Sequence, residues 1–136
     1  MSVLYLLDTN ILSDILKDPQ GIAAQRISTQ PQKALCTSII VASEMRYGVE
    51  KKNRAVLTKR VDLLLQTIKI LPFSVGADRW YGRIRAQLER NGQIIGANDL
   101  LIAAHALSLN AVLVTANVRE FNRITGLSVE NWLIKR

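Results

Sequence analysis

Three carboxylates stand where the surrounding sequence predicts a buried position. Asp8 ends the apolar run Val3–Leu7, Glu44 follows an apolar stretch, and Asp99 is followed by another. A carboxylate is seldom buried without a proton, a cation or a metal that neutralises its charge. The three acids therefore predict one pocket that holds a divalent cation.

Glu44 supports this prediction most strongly. On a helix, residues three and four positions apart share a face. The neighbours of Glu44 at these spacings include no basic residue: Ile40, Val41, Tyr47 and Gly48. For Asp8 and Asp99 helix capping remains an alternative, because an aspartate at the start of a helix commonly binds the N–H groups of the first turn. Glu44 lies in the middle of a predicted helix, where capping does not apply.

The elements that would position these acids alternate between strand and helix. Strand-like runs are predicted at Val3–Leu7, Ala34–Thr37, Ile68–Pro72 and Ala111–Thr115, with a weaker one near Leu127–Val129. Helical patterns are predicted at Asn10–Lys17, Gly21–Ser28, Ser38 to about Val49, Arg54–Thr67, Val75–Arg90, and from an N-cap at Asn98 to about Leu109. This alternation predicts an α/β fold whose central parallel sheet is covered by helices on both faces.

The predicted topology brings distant polar residues to one edge of the sheet. Asp8 ends the first strand and Thr115 ends the fourth, with Asn117 and Glu120 just after. Ligands of parallel α/β sheets bind beyond the carboxyl ends of the strands. We therefore expect these side chains to converge there.

Length and composition predict one domain with a real core. The chain has 136 residues, 49% hydrophobic residues and a mean hydropathy of +0.12. No stretch approaches the roughly 20 apolar residues of a membrane span. The single cysteine, Cys36, excludes a disulfide framework and is typical of a small core residue in a reducing compartment. We expect a cytoplasmic protein with no membrane partner.

The charge is strongly positive. The chain has 18 Lys and Arg against 11 Asp and Glu, for a net charge of +7 and a pI near 10.0. Placing four acids in one pocket leaves 7 (11 − 4) against 18 bases elsewhere. An acidic pocket on a cationic surface suits a metal-dependent enzyme that acts on nucleic acid. The alternative is a basic surface that serves solubility or partner binding.

The residue inventory narrows the chemistry. With one histidine, His105, a two-histidine ribonuclease mechanism is excluded and a His/Cys zinc site nearly so. His105 is predicted to be a packed or capping residue. Phosphate-binding loop motifs are missing, and no serine lies in a nucleophile elbow. Carboxylate ligands suit Mg²⁺, with Mn²⁺ as a substitute, and such ions support attack of water on a phosphodiester.

Four ordered motifs resemble a known family. They are Leu7-Asp8-Thr9-Asn10, Ser43-Glu44, Gly96-x-x-Asp99-x-x-Ile102-Ala103-Ala104, and Val114-Thr115-x-Asn117-x-x-Glu120-Phe121. Together they are similar to a PIN domain, specifically a VapC-type toxin of a bacterial toxin–antitoxin pair. The resemblance covers essentially the whole chain, so residues 1–136 are predicted to form a single PIN domain.

The resemblance implies a Mg²⁺-dependent endoribonuclease that cuts cellular RNA, such as tRNA, forms homodimers and is silenced by a small antitoxin. By position, the core metal-binding acids would be Asp8, Glu44 and Asp99. The residues that would orient carboxylates, water or phosphate are Thr9, Asn10 and Thr115. Many relatives have aspartates where this chain has Asn117 and Glu120. Either a second metal binds only with substrate, or Glu120 reaches the site through its extra methylene.

Two partner surfaces are expected. The apolar stripes Trp80–Leu88 and Leu57–Leu64 predict that one of them meets a second subunit, unless both cover the sheet. An antitoxin segment is expected in a groove between Ile39–Tyr47 and Arg54–Thr67, with an Arg or Lys that pairs with the site acids.

Two other functions compete with the nuclease. A catalytically inactive PIN-like module would bind nucleic acid or a protein without needing the acids intact. A phosphorylatable receiver-like switch would need an acid pair after the first strand, and Leu6-Leu7-Asp8-Thr9 has none. The metal-dependent nuclease is therefore the leading prediction.

Overall fold

The structure is a computed structural model that describes residues 2–134. Its strands are β1 (Tyr5–Leu7), β2 (Leu35–Ser38), β3 (Lys69–Leu71), β4 (Val112–Val114) and β5 (Val129–Glu130). Its helices are α1 (Thr9–Lys17), α2 (Ile22–Ser28), α3 (Ile39–Lys52), α4 (Ala55–Thr67), α5 (Ala77–Arg90), α6 (Ala97–Ser108) and α7 (Val118–Phe121). A short 3-10 helix, Gln32–Ala34, precedes β2.

The strands form one parallel sheet in the order β3-β2-β1-β4-β5. Every side chain of β2 is buried, although successive side chains point to opposite faces. Both faces of the sheet are therefore covered, as predicted for parallel strands joined by helices. β1 lies at the centre, so residues that follow it reach the middle of the carboxyl edge.

Two helices, α1 and α3, begin at the carboxyl edge of the sheet, and a side chain caps the first turn of each. The Asp8 carboxylate accepts a hydrogen bond from the Thr9 N–H (2.8 Å) at the start of α1. The Ser38 hydroxyl accepts one from the Ile40 N–H (3.0 Å) at the start of α3. Both are preferred N-cap residues. The caps fix where the two helices leave the sheet.

The core is built from the two faces of the sheet and the inner sides of the helices. Its largest fully buried side chains include Trp132, Phe121 and Ile102, and Cys36 is a buried free thiol, as predicted. Trp132 packs against Tyr5 with ring centroids 4.9 Å apart. This contact joins the segment after β5 to β1.

Several boundaries differ from the predicted ones. Four of the five strands are shorter than predicted, whereas β2 keeps its predicted length and is displaced by one residue, so that it includes Ser38. α6 begins after Gly96 rather than after Asn98, so the prediction of Asn98 as an N-cap is wrong. The short helix α7 was not predicted, because four residues give too little periodicity to detect.

The apolar stripes of α4 and α5 pack largely within the chain. Ile84 and Leu88 of α5 are each 3% exposed, and α5 lies along α6. Val61 of α4 is 2% exposed. Both apolar stripes therefore contribute to the core of the chain. The homodimer stays a prediction, and the stripes do not support it. Within residues 2–134, none of the helices combines the length and apolar character that crossing a membrane requires.

Candidate active site

The fold brings four acids from four elements to the carboxyl edge of the sheet. Asp8 follows β1, Glu44 lies on α3, Asp99 lies in the first turn of α6, and Glu120 lies on α7. Their mutual proximity shows in Asp99, whose carboxyl experiences the negative charges of the other three. The predicted convergence of these residues is observed. Only Asp8 is fully buried, at 3% exposure, whereas the other three are half-buried.

Asp8 is held by hydrogen bonds to both of its oxygens. Oδ1 accepts from the Thr9 N–H (2.8 Å), and Oδ2 accepts from the Thr115 hydroxyl (2.8 Å) and the Asn10 amide (3.4 Å). Burial raises the pKa of Asp8, while these hydrogen bonds oppose the rise. Asp8 therefore caps α1 and also lies in the acidic cluster.

Thr115 and Asn10 link the ends of β1 and β4. The Thr115 hydroxyl accepts from the Asn10 side-chain amide (3.2 Å) and from the Asn117 N–H (3.0 Å), and the side-chain oxygen Oδ1 of Asn10 accepts from the Ala116 N–H (2.9 Å). Thr115 is fully buried. The predicted supporting residues therefore form one network around Asp8, to which Asn117 contributes its backbone.

Glu44 is tied to two neighbouring helices. Its Oε1 accepts from the Thr9 hydroxyl (2.8 Å) and its Oε2 from the Asn98 amide (3.4 Å). Because each oxygen has a donor from a different helix, the carboxylate stays near Asp99 despite the repulsion between them. Thr9 serves Asp8 through its backbone and Glu44 through its side chain.

Asp99 has the most perturbed carboxyl of the site. Burial raises its pKa to about 7, together with the charges of Glu120, Asp8 and Glu44 and a hydrogen bond with Glu120. No side-chain cap bond is formed at the start of α6, so capping does not explain the position of Asp99. A carboxyl that holds its proton near neutral pH is a recognised feature of functional sites.

Glu120 reaches the cluster from α7. Its Oε1 accepts from the Gly96 N–H at the start of α6 (3.3 Å). The longer glutamate side chain thus contacts the segment that positions Asp99. Asn117 begins α7 without a side-chain cap bond.

The donor set suits a hard divalent cation. All four side chains offer oxygen, which Mg²⁺ and Mn²⁺ prefer, and a bound cation would relieve the repulsion that raises the pKa of Asp99. In the described part of the chain, no three acidic, histidine or cysteine side chains are arranged to hold a metal as they stand.

His105 lies outside the site. It is 1% exposed, its Nδ1 lies 2.7 Å from the Ser38 hydroxyl oxygen, and its ring packs edge-on against Phe73. Burial lowers its pKa. This confirms the prediction of a packed histidine.

Two residues at the site had a weak sequence signal. The side-chain amide of Asn98 donates a hydrogen bond to Glu44, although its position before Asp99 predicts an N-cap. The sequence indicates this role only through the position of the amide next to Asp99. The backbone N–H of Gly96 donates to Glu120. A backbone donor has no signature in residue type, so only the fold could reveal it.

Two grooves that share no lining residue end at the cluster. The first, which we name the helix groove, has a volume of about 330 Å³ and lies among α1, α3 and α4, with Thr9 and Glu44 at one end. The second, named the α7 groove, has a volume of about 370 Å³ and contains Glu120. The predicted groove between α3 and α4 therefore exists.

Comparisons with known proteins identify the family of the chain. Residues 5–127 match the PIN domain family. The chain belongs to this family. It is 41% identical over 132 residues to Ribonuclease VapC2 of Rickettsia felis, across 96% of this chain and 98% of the relative. The PIN domain and VapC-type resemblance predicted from the motifs is thereby confirmed.

A second relative and a solved structure are also similar to the chain over nearly its full length. The PIN chain is 35% identical over 133 residues to the tRNA(fMet)-specific endonuclease VapC of Shigella flexneri, across 94% of this chain and 97% of the relative. A solved structure of VapBC2 from Rickettsia felis, bound to a DNA fragment from their promoter, superposes with a TM-score of 0.89 and 38% identity, covering 96% of this chain and 99% of that one. The α/β PIN fold is thus shared along almost the full length.

Proposed function

We propose that this PIN domain is a Mg²⁺-dependent endoribonuclease toxin that hydrolyses phosphodiester bonds of cellular RNA. The observation that supports it most is the convergence of four acids on one sheet edge, with the pKa of Asp99 raised to about 7. The ribonuclease names of relatives at 35–41% identity support RNA as substrate, and one of them supports tRNA.

Asp8, Glu44 and Asp99 would hold the ion, with Glu120 completing the site. When bound, Mg²⁺ supplies positive charge that activates water and stabilises the departing oxygen of the phosphodiester. Thr115 and Asn10 keep the Asp8 carboxylate fixed, and Thr9 does the same for Glu44. This preorganisation limits the reorganisation needed when substrate arrives.

Cleavage of purified RNA tests the nuclease. The protein would be incubated with total bacterial RNA, with Mg²⁺ or with EDTA, and the cut ends mapped. We expect Mg²⁺-dependent cleavage that falls about 100-fold or more in Asp99→Asn. Glu50→Gln, which removes an exposed acid of α3, is the matched control and should retain activity.

Two results would count against this proposal. Cleavage by Asp99→Asn at the wild-type rate would remove Asp99 from the site. RNA binding without any Mg²⁺-dependent cleavage by the wild type would instead favour a catalytically inactive PIN-like module.

We further propose that a small VapB-type antitoxin neutralises the nuclease by binding the helix groove. The groove has apolar walls of Met45, Val49 and Leu57, and Lys17, Lys52 and Arg60 also line it. An apolar segment of a partner fits these walls, and an Arg or Lys on that segment would pair with Glu44, Asp8 or Asp99. The solved VapBC complexes among the structural relatives support a partner of this kind.

Filling the groove provides the test. A Cβ added at Gly48, which lines the groove, meets no atom within 4 Å, so Gly48→Leu would occupy groove space. Gly82→Leu is the control, because this α5 glycine is equally open and lies outside the groove. The small protein encoded beside the toxin gene should inhibit Gly82→Leu fully and Gly48→Leu weakly, each relative to its own uninhibited rate. Equal inhibition of both variants would exclude the helix groove.

The homodimer is also proposed, on the family resemblance alone. Light scattering at micromolar concentration tests it, and a strictly monomeric mass would contradict it.

A further inference from the structure

The α7 groove differs in chemistry from the helix groove. It is lined by Ala116, Asn117, Arg119, Glu120 and Arg123. Two of these five side chains are guanidinium groups, and Ala116 supplies the one apolar side chain. Such a surface offers little to an apolar segment and much to an anion.

Neither arginine of this groove forms an ion pair with an acid of residues 2–134. The ion pairs among residues 2–134 are Arg26–Glu130, Arg46–Asp62 and Arg85–Glu89. Arg123 donates one hydrogen bond, to the Ile94 carbonyl oxygen (3.2 Å). A guanidinium has five N–H donors, so most of this capacity faces the groove or solvent.

The absence of a pair with Glu120 is informative because Glu120 lies between the two arginines in sequence and lines the same groove. Its carboxylate accepts from the Gly96 N–H and interacts with Asp99 instead. Negative and positive groups of the groove are therefore kept apart. Glu120 acts on Asp99, whereas the two guanidinium groups line the groove without an ion pair among residues 2–134.

We propose that Arg119 and Arg123 bind a backbone phosphate of the RNA next to the phosphate that is cleaved. This inference rests on the proposed nuclease function. A guanidinium matches the oxygens of a phosphate in a bidentate manner, and the arginines line the same groove as Glu120, whose charge acts on Asp99. An RNA strand entering along α7 would thus have one phosphate fixed by arginine and the next presented to the cluster. The two arginines are positioning residues, and they also favour polyphosphate substrates over small phosphodiesters.

The first test compares two pairs of substitutions that each remove two positive charges. Arg119→Gln/Arg123→Gln alters the groove. Lys33→Gln/Lys69→Gln is the control, because these exposed lysines lie at the amino ends of β2 and β3, away from the site edge. We expect the arginine pair to raise KM for RNA about tenfold, with kcat changed less than about threefold. The slope of log KM against log salt should become shallower by about 1 to 2.

Two further variants distinguish a role of the arginines in positioning RNA from a role in folding. Arg119→Lys/Arg123→Lys keeps the charge and should restore most of the salt slope. Asp99→Asn provides a background for measuring RNA affinity without cleavage. In that background the arginine pair should still weaken binding about tenfold. If Asp99→Asn cleaves RNA, the nuclease site assignment fails, whereas RNA affinity measured in EDTA still tests the arginines.

The second test locates the phosphate. Single neutral methylphosphonates would be placed at successive positions around the cut in an oligoribonucleotide. One position adjacent to the cut should raise KM about tenfold for the wild type and the lysine control. The same change should have almost no effect on Arg119→Gln/Arg123→Gln, because the contact is already lost. Equal sensitivity of all three proteins at every position, or equal KM values in the first test, would overturn the proposal.

Discussion

Asp8 and Asp99 belong to one acidic cluster but are held in contrasting ways. Asp8 is buried, accepts hydrogen bonds on both oxygens and connects β1 to β4 through Thr115. Asp99 is half-buried, and the charges around it raise its pKa to about 7. The Asp8 side is therefore a structural support of the fold, whereas the Asp99 side stores repulsion that a cation relieves. We expect a site built this way to keep its frame without metal and to gain stability if a cation binds.

Breaking the Asp8 side should have the largest effect on stability. Thr115→Val removes a buried hydroxyl that donates to Asp8 and accepts from Asn10 and the Asn117 N–H. We expect the free energy of unfolding to fall by about 2–3 kcal/mol, since buried groups lose their partners. Urea denaturation measures this change. Thr125→Val, at an exposed position, should stay within about 0.5 kcal/mol of the wild type.

Removing the charge of Asp99 should instead increase the stability of the protein. A carboxyl with a higher pKa in the folded protein binds more protons when folded, so stability falls as pH rises from about 4 to about 7. Asp99→Asn should therefore raise the free energy of unfolding in EDTA by roughly 1–2 kcal/mol at pH 8, after allowance for solvent screening, and by little near pH 4.

Adding Mg²⁺ provides the control for this prediction. The wild type should gain thermal stability with Mg²⁺ at pH 8, and Asp99→Asn should gain much less. If Asp99→Asn were no more stable than the wild type in EDTA at pH 8, the stored repulsion would be contradicted.

Glu120→Gln should give the smallest change. Glutamine keeps an oxygen that can accept from the Gly96 N–H but loses one of the charges that raise the pKa of Asp99. We expect a gain of about 0.5–1 kcal/mol in EDTA at pH 8 and a lower midpoint in the pH dependence of stability. If Glu120 also completes the metal site, cleavage by the variant should need more Mg²⁺. Identical Mg²⁺ titrations of the variant and the wild type would remove Glu120 from the ion.

The fold was accessible from the sequence because its signals are local and repeated. Apolar runs separated by helical periodicity predict parallel strands, and the residues at strand ends then share an edge. The order of the strands in the sheet, in contrast, could not be predicted from these local signals. β1 lies between β2 and β4, and this placement depends on long-range packing that periodicity does not encode.

The site was predictable in its acids and less so in its supports. Asp8, Glu44 and Asp99 stand out because a charge contradicts its apolar surroundings. Asn98 and the Gly96 N–H do not, since an exposed amide and a backbone donor fit many roles. The α7 groove was likewise hidden, because Arg119 and Arg123 resemble ordinary surface cations until the fold places them beside Glu120.

The hydrogen bond between Thr115 and Asp8 also determines when the acidic cluster can assemble during synthesis of the chain. The two residues are 107 positions apart in the chain. At about 5–20 residues per second, the ribosome needs roughly 5–20 s to travel from one to the other. During that interval β1 lacks the strand β4 on one side, and Asp8 lacks its hydroxyl donor. A growing chain therefore has no assembled acidic site, and we expect the proposed nuclease to become active only when synthesis is almost complete.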